Sequence, residues 1–151
     1  MQTFLPYPSF VDSAACLDRQ RLGKQRVEAK QILIANSSGP VSEETGKKTP
    51  WYNHPAVRMW RGHDKALALY GMCVCQEWQH RGYRDNLHGW FYARFMYGIG
   101  TDAYPDWIGD EVVHASHRAR LLDKDPDWYG QYGWAEKPRT GREGYVWPVR
   151  G

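Results

Sequence analysis

The segment from Leu17 to Leu33 has the clearest pattern of apolar and polar positions in the chain. At roughly 100° per residue, its apolar side chains fall on one stripe of a helix: Leu22, Ala29, Ile32 and Leu33. Gln25 lies within this stripe, and Arg21 and Glu28 lie at its edge. Because a buried amide without hydrogen-bond partners costs roughly 1–3 kcal/mol, the pattern predicts a helix that lines a polar cleft. The alternative is a solvated helix with pairs at i and i+4 and a tolerated glutamine.

Capping residues and apolar periodicity predict further helices and no competing strand. Asp12 or Ser13 is the predicted cap of a short helix that ends near Leu17. Asp18 is the predicted cap of the long helix, which runs to about Ala35. After a polar loop over 36–50, the predicted helices are a short one that begins at Asn53, His54 and Pro55, one from Asp64 to about His80, a short one over Trp90 to Tyr97 and one from Asp110 through Leu122.

These elements predict a mainly α fold, a single compact helical domain over residues 1–151 with long irregular loops. The late segment KDPDWYGQYGW is expected to form turns, and Gly144 to Pro148 a short extended piece. In the helix that opens at Asp110, the predicted core stripe is Val112, Ala115, Ala119 and Leu122.

Cysteine spacing and hydropathy predict a cytoplasmic protein, and we expect it to be a monomer. Cys73 and Cys75 lie about 200° apart around a helix, so they cannot close a local disulfide, which favours a reducing compartment. No apolar run reaches the roughly 18 residues of a membrane span. The opening MQTFLPYP has neither the basic head nor the apolar core of a signal peptide.

Positive charge is concentrated early in the chain, although the formal net charge is only +3. Residues 1–35 carry five Lys or Arg against three acids, which is compatible with nucleic-acid binding. The abundant Trp and Tyr residues suit stacking on bases, and most of them equally suit the anchoring of loops onto a small core.

Histidines supply a second set of candidates. His114 and His117 have the i, i+3 spacing of a metal pair, but the sequence places no third ligand beside them, and we expect no metal. His117 with Arg118 suits a phosphate or a proton-transfer role instead. His54 precedes Pro55 at a helix N-terminus, where it either helps to bind an anion or simply caps the helix.

An amine is the candidate nucleophile, since the sequence contains no phosphate loop, nucleophile elbow or zinc-finger spacing. An α-amino group has a pKa of about 7.7–8.0 and is a competent nucleophile when neutral. Gln2 is too bulky for routine removal of the initiator, so we expect the amine to be that of Met1.

Three blocks of the sequence resemble the pyrimidine-dimer DNA glycosylase family, the small helical proteins of the phage endonuclease V type. They are LDRQRLGKQRVEA, NHPAVRMW and HASHRARLLDKDPDWYGQYGW. The resemblance implies one mainly helical domain in which the N-terminal segment runs between helices. It also implies base excision, in which an N-terminal amine attacks deoxyribose C1′ to give an imine, a helix-borne glutamate assists, and elimination cuts the strand without a metal or a cofactor. The resemblance also implies that helix arginines grip the DNA backbone while a base of the opposite strand is flipped out. By position, Arg26 matches a family arginine, and the pair Trp128-Tyr129 matches the family's late aromatic pair.

The resemblance places the glutamate where this chain reads Gly23, Lys24 and Gln25, and Glu28 follows one turn later. We hypothesise that Met1 is the nucleophile and Glu28 the acid/base group, with Gln25 beside them in the catalytic set. The expected nucleic-acid contacts are Arg19, Arg21, Lys24, Arg26, His54, His114, His117, Arg118, Lys124, Trp128 and Tyr129. The expected partner is double-stranded DNA with a damaged or modified base. Alternatives are a non-catalytic nucleic-acid-binding protein, in which Gln25 reads a base edge, and an enzyme with other base or nucleotide chemistry in the same cleft.

Overall fold

The computed structural model describes residues 1–98, 100–141 and 144–148. Within them, seven α-helices and one short 3-10 helix form a mainly α fold, as predicted. The elements are α1 (Phe10–Cys16), α2 (Arg19–Ser38), α3 (Pro55–Arg58), α4 (Asp64–His80), α5 (His88–Tyr97), α6 (Glu111–Lys124), α7 (Pro126–Tyr129) and the 3-10 helix Gly130–Tyr132. The described residues contain no strand, only an isolated antiparallel bridge between Val41 and Lys48.

The start of α2 follows the prediction, whereas the start of α1 does not. Asp18 caps α2 by accepting from the Arg21 N–H, and the helix continues three residues beyond the expected end at Ala35. The cap of α1 is Ser9, whose Oγ accepts from the Asp12 N–H at 3.1 Å. Ser13, an expected cap, is buried inside the helix, where its hydroxyl bonds the backbone of Tyr7.

Later helices form close to where the sequence predicts them. His54 precedes α3, and its Nδ1 accepts from the Ala56 N–H at 3.0 Å. Asp110 caps α6 through the Val112 N–H, and α6 ends two residues beyond Leu122. The short helix α7 was expected to be a turn. Asp125 starts it by accepting from the Trp128 N–H at 3.0 Å.

Helix α4 is the centre of the fold and packs against α1, α2 and α5. Its buried residues occupy most of its circumference: Ala66, Leu67, Ala68, Tyr70, Gly71, Met72, Val74 and Cys75. Gly71 is required where α5 crosses, because a Cβ there would overlap the ring of Phe91. No helix among the described residues combines the length and the hydrophobicity that a bilayer crossing needs. Cys16, Cys73 and Cys75 are all free thiols.

The N-terminal segment runs between the helices, as the resemblance implied. Residues 2–5 are all buried, and side chains from α2, α6 and the turn after α3 supply most of their hydrogen-bond partners. Gln25 Oε1 accepts from the Phe4 N–H at 2.9 Å, and Trp60 Nε1 donates to Thr3 Oγ1 at 2.9 Å. An extended segment has no internal backbone hydrogen bonds, so the helices around it must carry polar side chains on their inner faces.

Helix α6 shows this requirement most clearly. Its predicted buried face was right at Ala119 and Leu122, which are buried, and wrong at the start of the helix. Val112 is 61% exposed, whereas His114 and His117 are both fully buried. The two imidazoles face inward because both bind the backbone of Leu5. His114 Nδ1 lies 2.8 Å from the Leu5 carbonyl oxygen, and the Leu5 N–H donates to His117 Nδ1 at 2.9 Å. The start of the predicted buried face was therefore displaced around α6, because both histidines were counted as surface residues.

Candidate active site

A pocket of about 270 Å³ lies between the N-terminal segment, α2 and α6. It brings together Met1, Gln25 and Glu28, the three residues expected to be catalytic, with three of the expected DNA contacts, Arg21, Lys24 and Lys124. The rest of the lining is Gln2, Phe4, Gln20, Arg120 and Tyr145. The volume is slightly below the roughly 300 Å³ at which small-ligand sites begin, so the pocket suits a single sugar or base unit.

Gln25 organises the floor of this pocket. Its Nε2 donates to the Gln2 carbonyl oxygen at 2.8 Å and to Glu28 Oε2 at 3.1 Å. Its Oε1 accepts from the Phe4 N–H and from the Tyr70 hydroxyl, the latter at 2.6 Å. The amide thus uses both its ends, which explains why the core tolerates a side chain only 1% exposed.

Glu28 faces the chain's first residues. Its Oε2 accepts from Gln25 Nε2 and, at 3.4 Å, from the Gln2 N–H, so the carboxylate acts as an acceptor in this arrangement. Gly23, one of the three positions where the resemblance places the glutamate, lies on a different side of α2. A Cβ there would lie 3.1 Å from the ring of Trp78 on α4. Glu28 is therefore the carboxylate that α2 brings to the pocket.

Cations dominate the remaining lining. The pKa of Lys124 is lowered by burial and by the positive charges of Arg120, Arg21 and Lys24, with Asp123 opposing the shift. The four cations therefore lie close enough to repel one another, although Arg21 is paired with Asp18 at 3.3 Å and Arg120 with Asp123 at 2.8 Å. A bound anion relieves such repulsion, which makes the pocket suitable for phosphate.

His114 and His117 have to be removed from the expected DNA contacts, because a fully buried ring cannot touch a duplex. His114 Nε2 accepts from the Gly109 N–H at 2.9 Å, so its proton is on Nδ1 and points to the Leu5 carbonyl. Burial lowers the pKa of His117 to about 3. Both rings hold the segment that forms the pocket wall.

Arg118 and Tyr129 are likewise held within the protein. Arg118 binds Glu111, Glu136 and the Pro6 carbonyl oxygen, while Tyr129 is fully buried and its hydroxyl donates to Asp18. Neither presents a group to a ligand in this arrangement, which corrects their expected role. Trp128 keeps 37% of its surface exposed, but its Nε1 donates to the Cys16 carbonyl oxygen at 2.8 Å.

Arg19 and Arg26 extend along another side of α2, away from the pocket lining. Arg26 binds Asp85, whose side chain is 1% exposed, and its guanidinium lies 5.2 Å from the ring centroid of Trp78. Despite burial, which opposes the shift, the hydrogen bonds from the His88 N–H and Arg26 lower the pKa of Asp85. Arg19 lies 4.9 Å from the ring centroid of Tyr83. The structure gives Arg26 a structural partner and does not bring it to the pocket.

Sequence reasoning missed two lining residues, Arg120 and Gln20, that their helical spacing could have identified. Arg120 precedes Lys124 by four residues on α6, and Gln20 precedes Lys24 by four residues on α2, so each shares a helix face with a residue that was identified. Gln2, Phe4 and Tyr145 reach the pocket only through the tertiary fold. Tyr145 packs against Arg120, which lies 5.6 Å from its ring centroid, and burial raises the pKa of Tyr145 to about 12.

Metal ligands are not grouped in the described parts of the chain: no cluster of three His, Cys, Asp or Glu side chains is placed to hold an ion.

His54, another expected DNA contact, lies near the chain's amino terminus. Its pKa is lowered by burial and then by the positive charge of that terminus.

A comparison with known protein families covers most of the residues that line this pocket. A family model described as pyrimidine dimer DNA glycosylase matches residues 1–89. This range contains Met1, all of α2 and His54, while the late residues of the pocket, Arg120, Lys124 and Tyr145, lie beyond it. No curated protein and no solved structure matches the chain.

Proposed function

The chain belongs to the pyrimidine dimer DNA glycosylase family, a family of DNA repair enzymes, and we propose that it excises a damaged or modified base from duplex DNA and then cleaves at the abasic site. The observation that carries this proposal is the meeting of Met1, Glu28 and four cations around one pocket. The proposed enzyme acts as a cytoplasmic monomer.

The nucleophile in this proposal is the α-amine of residue 1. Its lone pair forms a bond to C1′, and the bond between C1′ and the base breaks with its electron pair leaving on the base, which takes up a proton. Opening of the sugar ring converts the adduct into an imine. Removal of a C2′ proton then expels the 3′ phosphate oxygen with the C–O bonding pair, and water finally hydrolyses the imine to restore the amine.

Glu28 is the acid/base group of the proposal. Its carboxylate is positioned by Gln25 Nε2 and by the Gln2 N–H, that is, by the residue next to the amine. A carboxylate held in this way can accept the proton that the attacking amine loses, pass it to the departing base, and later take the C2′ proton. Gln25 touches no reacting atom in this scheme and is a positioning residue, because it fixes both the Gln2 backbone and Glu28.

The proposed phosphate contacts are the four cations of the pocket, Arg21, Lys24, Arg120 and Lys124. They come from two helices, so a strand that binds both is held across the pocket with its sugar facing the amine. Arg19 and Trp128 remain as outlying proposed contacts. Phosphate contacts of this kind set affinity and position and carry no information on the base.

Borohydride trapping tests the chemistry directly. Purified protein is incubated with duplex DNA that contains one abasic site, and the imine is reduced to a stable covalent adduct. We expect the adduct in the wild type, its loss when the α-amine alone is blocked by N-terminal acetylation, and at least a tenfold decrease in the strand-cleavage rate in Glu28→Gln. Intact-mass analysis of the untreated protein shows whether Met1 is retained as the first residue.

Glu44→Gln is the matched control, because Glu44 is an exposed glutamate on the 39–54 loop. Its rate should equal that of the wild type. An adduct that persists after the amine is blocked excludes residue 1 as the nucleophile. Absence of any adduct, combined with DNA affinity that falls steeply with salt, leaves a nucleic-acid-binding protein instead of an enzyme.

A further inference from the structure

A row of aromatic rings leads from the pocket to the protein surface. Tyr145 lines the pocket, and its ring centroid lies 5.3 Å from that of Trp147. Trp147 lies 5.9 Å from His54, and His54 lies 5.8 Å from Trp51. We call Tyr145, Trp147, His54 and Trp51 the aromatic row. It ends at Trp51, which is 58% exposed.

Trp51 has a backbone conformation that does not suit a tryptophan. Its φ of 65° is in the left-handed region, and it is the one residue other than glycine with a positive φ among those described. A bulky side chain with positive φ is a genuine outlier, and such outliers concentrate at functional sites. With more than half of its surface exposed, the ring contributes little to the core, so packing does not account for a tryptophan here.

The row also lies beside the proposed nucleophile. His54 feels the charge of the chain's amino terminus, which contributes to its lowered pKa, and Tyr145 shares the pocket with Met1. Next to Trp51, the guanidinium of Arg61 lies 3.8 Å from the ring centroid of Tyr52. A strand that brings a sugar to the amine therefore passes a surface that offers both exposed aromatic faces and positive charge.

We propose that Trp51 is a base-stacking site, at which an unpaired nucleobase next to the abasic sugar stacks on the exposed indole, with the aromatic row supporting the ring from behind. This inference rests on the proposed function, because it takes the pocket as the place where the sugar is bound. Every base has a π face, so the site accepts any of the four bases. It holds the strand open beside the lesion, which favours damaged over intact duplex.

Binding to a duplex with a tetrahydrofuran abasic analogue tests the site without chemistry, because the analogue cannot form an imine. Stacking of one base contributes about tenfold or more to affinity, so Trp51→Gly should weaken binding by about that factor. Glycine adopts positive φ freely, and Trp51→Asn serves as a second variant that tolerates the same backbone. Trp51→Phe, which keeps a ring, should recover most of the affinity.

Two readouts separate stacking from a charge effect or a loss of structure. The dependence of affinity on salt should stay as in the wild type, since no charge is removed. The fluorescence of 2-aminopurine placed next to the analogue should be quenched by the wild type and less so by Trp51→Gly. Tyr97→Ala is the control, because Tyr97 is 81% exposed on α5 and lies outside the row. Its affinity should match that of the wild type.

The outcomes distinguish this proposal from the proposed function. Unchanged affinity in both Trp51→Gly and Trp51→Asn overturns the stacking site, whatever the trapping experiment shows. An equal loss of affinity for intact and damaged duplex also overturns it, because the contact is then not directed to the lesion. If Trp51 supports lesion binding and no borohydride adduct forms, the stacking site stands and the excision chemistry fails.

Discussion

Gln25 holds Glu28 in place from one turn away on the same helix, through a hydrogen bond of 3.1 Å between its Nε2 and the Glu28 carboxylate. The same nitrogen binds the Gln2 carbonyl oxygen, so one buried amide connects α2 to the start of the chain and to Glu28, the one carboxylate among the described residues that line the pocket. The stability of the N-terminal segment and the geometry of the site consequently depend on the same side chain.

Gln25→Leu should lower the free energy of unfolding by at least about 2 kcal/mol, because it leaves the buried Phe4 N–H and Gln2 carbonyl without their partner. Urea denaturation measures the loss. Gln131→Leu is the control, since Gln131 is exposed, and its effect should stay below about 0.5 kcal/mol. Equal effects in the two variants would falsify the role given to Gln25.

Arg21→Ala should affect DNA binding and Arg26→Ala should affect stability, although the two residues lie on one helix. Arg21 lines the pocket, so its loss should lower the slope of log affinity against log salt by about 0.9. Arg26→Ala should leave that slope unchanged and destabilise the fold by about 3 kcal/mol, because the buried Asp85 carboxylate then loses its charged partner and keeps only backbone N–H donors. Titrations of duplex DNA at several salt concentrations, with urea melts alongside, measure both quantities.

A change of slope in both variants would show instead that the DNA covers more of α2 than the pocket side. A stable Arg26→Ala protein would show that the Leu87 and His88 N–H groups satisfy Asp85 without the guanidinium.

Acid should destabilise the protein through His117. Its pKa is lowered from 6.5 to about 3, so between these values the unfolded chain binds a proton that the folded protein excludes. The contribution of His117 to the free energy of unfolding is fully present above about pH 6.5 and is lost as the pH falls. At pH 5 this one group should have lowered the free energy of unfolding by about 2 kcal/mol. Urea denaturation at pH 7 and pH 5 measures the difference. His117→Asn, which keeps an acceptor for the Leu5 N–H but cannot titrate, should show a smaller dependence on pH; an unchanged dependence would assign it to other groups.

Gly71→Ala and Gly89→Ala should shift stability in opposite directions. A Cβ at residue 71 would overlap Phe91 and push α4 and α5 apart, which should cost about 1–3 kcal/mol. A Cβ at residue 89 meets nothing within 4 Å and improves the helix propensity of α5, so we expect a gain of about 0.5–1 kcal/mol. Thermal melts of the two variants make the comparison, and a stabilising Gly71→Ala would contradict the close crossing of the helices.

Sequence periodicity predicted the elements whose buried faces are apolar. In α2 the stripe of Leu22, Ile32 and Leu33 is buried as expected, and even Gln25 within it proved to be buried with partners. In α6 the same reasoning found Ala119 and Leu122 but wrongly buried Val112 and missed His114 and His117, which face the core. Their partner is Leu5, more than one hundred residues away in sequence, and a periodicity within one helix contains no information about such a partner.

The site was predictable to a similar extent. Residues of α2 were found because a polar row beside an apolar stripe is visible in the sequence. The expected role of Arg26 rested on matching a position and missed its partner Asp85 on another segment. Tyr145 had no local signal at all, since only the course of the late chain brings it to the pocket.

The buried path of residues 2–5 has a consequence for how the protein is made. The Leu5 N–H finds its acceptor on His117, 112 residues further along the chain. At roughly 5–20 residues per second, a ribosome needs several seconds or more to reach that histidine, and during this time the Leu5 N–H lacks its acceptor, although Gln25 and Trp60 are already made. Completion of the pocket is thus among the last events of biosynthesis, and a truncated translation product that stops before α6 keeps its Leu5 backbone without the two histidine partners.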